Sequence, residues 1–247
     1  MFEAIFETTN SRLALGIFVG LVSGFLHGYS GFAGGLLLSP LLAILYGPVE
    51  CIFASGVAGI AGSLQLLPRA IQNANWPEAA PAAILILLAT PFGVVVLVSS
   101  DPELIRRAIG GFVLVIALIM MTGWVYRGPR GITGGSIAGL LSGAVTGATG
   151  AGGPIIVFYF LAAPESANVQ RANIVICVAT MITVVTGSLA IGGDISAAAF
   201  WRAIVIGVVY LLGAWAGGWL FEKTPASWFR PAVLWILVAT GIGVLIV

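Results

Sequence analysis

Charge is what this chain has least of. Charged residues make up 8% of its 247 positions, where a soluble domain carries about 25%. Lysine occurs once, at Lys223, and histidine once, at His27. Ten basic and nine acidic residues cannot cover a water-facing surface. With a net charge of +1 they leave no basic patch for a phosphate backbone, which excludes nucleic acid as a partner. The two cysteines, Cys51 and Cys177, lie in apolar runs, so a disulfide framework and a cysteine metal site are excluded. They read as small core hydrophobes. No Ser-His-Asp set, H-E-x-x-H or Walker A motif occurs, which argues against an enzyme and against a self-contained ATP-driven pump. No cofactor motif is present either, and acids embedded in apolar runs are lacking. The first residues carry Glu3 and Glu7 rather than a basic segment, so no cleaved signal peptide is expected.

Apolar residues and glycine are what remain. Hydrophobic side chains make up 60% of the chain, mean hydropathy is +1.12, and there are 34 glycines. The natural solvent is hydrocarbon, and the expected fold is an all-α polytopic membrane protein. A crossing helix needs about 20 apolar residues. Residues 51–68, 79–100, 108–126, 172–193, 203–221 and 231–247 are uncharged runs of suitable length, one span each. Trp76, Trp124, Trp201 and Trp228 fall near span ends, as an interfacial aromatic belt does.

Two longer uncharged stretches, 13–49 and 131–164, fit neither one helix nor two full ones. Each carries a Gly-Gly pair near its middle. The economical reading is a helix, a break at the glycines, and a shorter helix over roughly Leu36 to Tyr46 or Ile155 to Ala163. The stretches are copies. Gly20, Gly24, Gly28 and Gly31 recur as Gly139, Gly143, Gly147 and Gly150; Ser23 recurs as Ser142, and Gly34-Gly35 as Gly152-Gly153. Pro102 through Arg107 recurs as Pro225 through Arg230. The expected organisation is therefore one transporter domain of two five-segment repeats, about 10–125 and 130–247. An odd number of crossings inverts the second repeat. Ten crossings place Arg69, Arg127, Arg130, Arg171, Lys223 and Arg230 on one side and Arg12, Arg106, Arg107 and Arg202 on the other. That bias favours the inverted arrangement over eight crossings, which divide the basic residues evenly.

Non-helical backbone at membrane depth survives only inside protein or along a water-filled cavity, so matched glycine breaks point to a transport site. Helix N-termini exposed there offer free N–H groups suited to an anion. Gly34, Gly35, Gly152 and Gly153 sit where those N-termini begin. The four-spaced Gly16, Gly20, Gly24, Gly139 and Gly143 read instead as close helix packing. His27, just before the first break, reads as an anion contact or proton relay, or else as a satisfied structural residue. Tyr29, Ser30, Thr146 and Thr149 supply hydroxyls near the breaks. Ser55 and Gln65 in the third segment, and Asn173 in its counterpart, are further candidates. Arg171 is a candidate anion gate, with an interfacial anchor as the alternative.

These stretches, GLVSGFLHGYSGFAGGLLLSPLL and GLLSGAVTGATGAGGPIIVFYFL, resemble the glycine-rich signature of the sulfite exporter TauE/SafE family of membrane transporters. The resemblance covers nearly the whole chain. It implies transport of small sulfur-containing anions such as sulfite, sulfoacetate or related organosulfonates. Family members carry a small residue, then Gly and Thr or Ser, early in the third segment. Here Ala54-Ser55-Gly56 and Ala172-Asn173-Ile174 depart from that pattern, the second more than the first, which leaves the ligand open. The expectation is a secondary transporter of the inner (plasma) membrane. It would export the anion by alternating access through a midplane site at the paired breaks. A passive anion channel, or an importer of an anion such as thiosulfate, is the alternative. The expected partners are the small anion and the lipid bilayer, and the sequence also allows a homo-oligomer.

Overall fold

A computed structural model describes residues 11–30, 33–193, 195–221, 235 and 238–243. All regular structure among these residues is helical, as hydrocarbon requires of an unpaired chain that must satisfy its own backbone. In chain order the helices are α1 (Ser11–Ser30), α2 (Ala33–Tyr46), α3 (Pro48–Asn73), α4 (Trp76–Ser99) and α5 (Pro102–Thr122). Then follow α6 (Gly131–Thr149), α7 (Gly153–Leu161), α8 (Ala167–Gly192) and α9 (Ala197–Phe221). Four of them, α4, α5, α8 and α9, are long and apolar enough to cross a membrane. The last run, 231–247, lies mostly outside the described residues, as do Trp228, Lys223 and Arg230.

Local sequence sets the ends. Asp101 caps α5, its carboxylate accepting from the Glu103 and Leu104 amides at 2.8 and 3.3 Å, with Pro102 at the position where a missing N–H costs nothing. α6 stops at Gly150, whose φ of 70° favours glycine. α7 begins three residues later at Gly153. The short helices run slightly earlier than the residues expected from sequence, 33–46 and 153–161, because the glycines themselves join the first turns. α3 runs past Arg69 to Asn73, with Pro68 inside it, so the charged residue that bounds the apolar run does not end the helix.

The helices pack across the chain rather than with their sequence neighbours. α1 lies along α9, α4 along α6, and α3 along α8. The first two pairings are made by glycine. A Cβ at Gly20, Gly24 or Gly28 would run into Ile206, Tyr210 and Ala214 in turn. One at Gly139, Gly143 or Gly147 would run into Ala82, Ile86 and Thr90. The glycine rows are shifted by 119 residues and their partners by 124, and both shifts are constant. The expected packing role of Gly20, Gly24, Gly139 and Gly143 therefore has a defined geometry: Gly24, Gly139 and Gly143 meet partner backbone first, and Gly20 meets the Ile206 side chain and carbonyl. Large apolar side chains such as Leu88, Phe92 and Val95 of α4 and Leu212 and Trp215 of α9 remain outward. Trp76, Trp124 and Trp201 are exposed near helix ends, where an interfacial belt belongs.

Because the obstacle at Gly28 and Gly147 is a carbonyl group, relaxation is limited. Gly28→Ala and Gly147→Ala are expected to destabilise by at least the roughly 1–3 kcal/mol of ordinary overpacking. Gly35→Ala, where a Cβ meets open space, is expected to change little. Thermal unfolding of the three variants in one detergent checks this contrast.

Candidate functional site

The second glycine of each pair opens onto a cavity of about 240 Å³ between the helices. Its wall draws on both halves of the chain. His27 comes from α1, Gly35 from α2, Ser55 from α3, Thr146 from α6, Gly153 from α7 and Tyr210 from α9. No described lining residue is charged. Apolar wall is supplied mainly by Phe158, Val178, Met120 and Met181.

The two glycines of a pair have different tasks. A Cβ at Gly34 would meet the Ser23 carbonyl, the His27 side chain and the Tyr210 hydroxyl. A Cβ at Gly152 would meet the Ser142 carbonyl and Thr146. Ser23 matches Ser142, and His27 matches Thr146, under the same 119-residue shift. So Gly34 and Gly152 let each short helix start against the end of the helix before it. Gly35 and Gly153 have nothing within 4 Å of the place a Cβ would take, and both line the cavity.

Polar side chains on the wall are few: His27, Ser55, Ser63, Thr146 and Tyr210. Ser39 donates to Ser55 Oγ at 3.2 Å. Ser142 Oγ donates to the Gly152 carbonyl at 2.7 Å, fixing the turn before α7. The Thr146 hydroxyl lies 3.0 Å from Met181 Sδ, a weak acceptor that leaves it available to a better one. Gly152, at the N-cap of α7, supplies no side-chain cap. Pro154 in the first turn has no N–H and the Ile155 amide donates to the Gly152 carbonyl at 3.2 Å, which leaves the Gly153 N–H as the donor this turn can offer a ligand. The His27 ring packs beside Tyr210, 5.7 Å between centroids, and its buried Nδ1 has no hydrogen-bond partner among the described residues. An unpartnered buried nitrogen on a cavity wall is a group that a ligand or water must satisfy. Hydroxyls and backbone N–H groups, with an imidazole nearby, suit a small anion and offer neither a nucleophile–base pair nor a metal-ligand set. Among the described residues no group of three His, Cys, Asp or Glu could hold a metal ion.

The cavity thus gathers His27, Gly35, Ser55, Thr146 and Gly153 of the residues expected from sequence, with Gly34 and Gly152 directly behind the wall. Thr149 is turned to its own backbone, donating to the Val145 carbonyl at 2.8 Å and accepting from the Ala151 amide at 3.3 Å. Asn173 is buried away from the cavity. It accepts from the Asn75 amide at 2.9 Å and reaches Glu165 at 3.4 Å, tying the α3–α4 turn to the α7–α8 loop. Arg171 is exposed near the start of α8 and does not line the cavity. The side chains of Tyr29, Ser30 and Gln65 lie outside the described residues. Tyr210, Ser63 and Phe158 were missed from sequence. For Tyr210 a signal existed in principle: it is the residue on which Gly24 docks, but only the folded pairing of α1 with α9 reveals it.

Filling the open positions should close the site without touching the fold. Gly35→Leu and Gly153→Leu are expected to abolish transport while the protein still inserts and purifies normally. Normal flux in both would remove the cavity from the transport route. Compared with known proteins, residues 16–244 match the family model described as Sulfite exporter TauE/SafE. No curated protein and no solved structure matches the chain.

Proposed function

The chain belongs to the Sulfite exporter TauE/SafE family, and on that premise we propose that it exports a small sulfur-containing anion across the plasma membrane by alternating access. Sulfite, sulfoacetate and related organosulfonates are the candidate cargoes. The family is one of membrane transporters for sulfur anions, and the four long apolar helices fit a membrane protein. Export as the direction rests on the family's description.

One observation carries the reading of the site. The two glycine pairs, 118 residues apart in sequence, open onto a single cavity that holds hydroxyls and an unpartnered imidazole nitrogen but no charged side chain among the described residues. A fixed Lys or Arg there would hold an anion tightly. Helix N-termini and hydroxyls bind it more weakly, as a carrier that must release its load requires.

Two inverted five-segment repeats, 10–125 and 130–247, are the architecture that best accounts for the packing. The constant shifts of 119 and 124 residues support it, because each half lends its fourth helix to the other half's glycine row. So does the exchange of partners between α1–α9 and α4–α6. In such a frame the halves rock about a shared site. His27 is the one histidine of the chain and it lines the cavity, so proton coupling through a side chain there would use this imidazole, and otherwise water. His27→Ala is expected to flatten the pH dependence of flux. An unchanged profile would make His27 a structural residue only.

Ligand-induced stabilisation of the purified protein tests the cargo class. Sulfite, thiosulfate, sulfoacetate, taurine, sulfate, acetate and phosphate would be titrated while the melting temperature is followed. An anion at about 100 times its Kd adds about 2.7 kcal/mol to stability. Concentration-dependent shifts confined to sulfur anions are the expected result. A panel without any shift would contradict the cargo and favour a weakly binding channel.

A further inference from the structure

Two clusters built from the same three residue types sit on the short helices, and none of their members lines the cavity. At the end of α2 the Tyr46 hydroxyl donates to the Arg12 carbonyl at 2.7 Å. Arg202 of α9 lies over the Tyr46 ring, 5.2 Å from its centroid. Its Nε and Nη2 donate to the two carboxylate oxygens of Glu50 at 2.5 and 2.8 Å, a bidentate fork. On α7 the Tyr159 hydroxyl donates to Glu78, with the Gly131 carbonyl a second acceptor at 3.3 Å. Arg130 lies over the Tyr159 ring at 4.4 Å, donates to the Tyr159 carbonyl at 2.5 Å and pairs with Glu78 at 3.3 Å.

The clusters occupy matching places. Arg12 and Gly131, the two carbonyls that face the tyrosine hydroxyls, are related by the 119-residue shift of the glycine rows. Glu78 and Arg202 are related by the 124-residue shift of the residues on which those rows dock. The position on the fourth helix of each half is therefore reused with its charge reversed, carboxylate on α4 and guanidinium on α9. Each cluster ties a short helix to one of the tight glycine-docked pairs, α1–α9 or α4–α6.

They also lie at opposite ends of α3. Glu50 is in its first turn, and Glu78 is in the first turn of α4, just beyond its end. The 26 residues of α3 extend about 39 Å at the usual rise, more than the roughly 30 Å of a hydrocarbon core. The cavity wall contributed by α3, from Ile52 to Ser63, falls between the two clusters. The short helices link each cluster to that wall. α7 lines the cavity with Gly153, Val157 and Phe158, while neighbouring Tyr159 is held by Arg130 and Glu78. α2 lines it with Gly35 and Leu36 and is anchored at its other end by Tyr46. These ion pairs are mostly shielded, with the Arg202 and Glu50 side chains 20% and 16% exposed and those of Arg130 and Glu78 28% and 8%. Pairs this shielded hold a helix firmly, and losing one partner of either is costly.

We propose that the two clusters are the gates of the transport cycle. Tyr46–Glu50–Arg202 closes the cavity toward one membrane face, Tyr159–Glu78–Arg130 closes it toward the other, and each half-cycle releases one of them. Both are formed in this structure. The proposal rests on the transport reading and adds to it the contacts that must break for a short helix to swing away from the cavity.

Sided labelling tests it without knowledge of the cargo. A single reporter, Val178→Cys on the cavity wall, is placed in a chain carrying Cys51→Ala and Cys177→Ala. A membrane-impermeant maleimide is then applied to right-side-out and to inverted vesicles. Glu50→Gln is expected to raise the labelling rate about tenfold from one face only, and Glu78→Gln about tenfold from the opposite face, the population shift that loss of a two-state lock brings. The exchange Glu50→Arg with Arg202→Glu is expected to return the rate toward that of the parent. Acceleration from the same face in both variants, or unchanged labelling in both, would overturn the proposal. So would a fall in melting temperature with no sidedness, since that is all a structural ion pair produces. An anion panel that gives no thermal shift would sink the cargo while leaving these rates as expected, so the two failures are distinguishable.

Discussion

Backbone satisfaction in hydrocarbon is the constraint on which the rest of this molecule depends. A helix that ends inside the membrane leaves free carbonyls, and one that begins there leaves free N–H groups, each costly unless protein or water meets it. α6 ends at Thr149 and α7 begins at Gly153, with no helix between them. Such a segment survives only if other helices wrap it closely. Glycine provides the wrapping: Gly24, Gly28, Gly139 and Gly147 let α1 and α6 lie directly against the backbones of α9 and α4. The tight pairs form a frame, and the short helices stand within it.

The cavity follows from that frame. Gly34 and Gly152 are consumed by packing, which brings the starts of α2 and α7 against Ser23, His27, Ser142 and Thr146. Gly35 and Gly153, one residue on, are left facing empty space. The site is therefore made by the difference between two adjacent glycines. Its polarity follows from the same economy, since backbone groups that the break frees need not be supplemented by charged side chains. On the proposed reading of the cavity as an anion site, weak, uncharged recognition fits turnover better than tight capture does.

The chain declared its helices openly. Scarcity of charge marked the spans at Glu78, Asp101, Arg107 and Arg171, and the glycine ladder aligned the halves before any contact was known. Residues close to the Gly-Gly pairs, His27, Gly35, Thr146 and Gly153, could be found because the pairs themselves stand out in the sequence. Tyr210 could not, because it reaches His27 only through a docking between the first and ninth helices. Asn173 and Thr149 illustrate the opposite difficulty. A polar side chain in an apolar run is visible in sequence, but whether it turns to a cavity, to a distant turn or to its own backbone is decided by packing. The Glu50–Arg202 and Glu78–Arg130 pairs were likewise hidden. Each residue read as a boundary marker, and reuse of one position with opposite charge defeats any search for identical residues.

The claim that the space in front of Gly35 and Gly153 is where cargo resides is open to direct chemical test. A cysteine at Gly153, in a chain free of its native cysteines, would be alkylated with and without a transported sulfur anion. The account predicts that the anion protects this cysteine, half-maximally at the concentration that half-saturates flux. Alkylation that proceeds at an unchanged rate under saturating anion, while flux is normal, would contradict it.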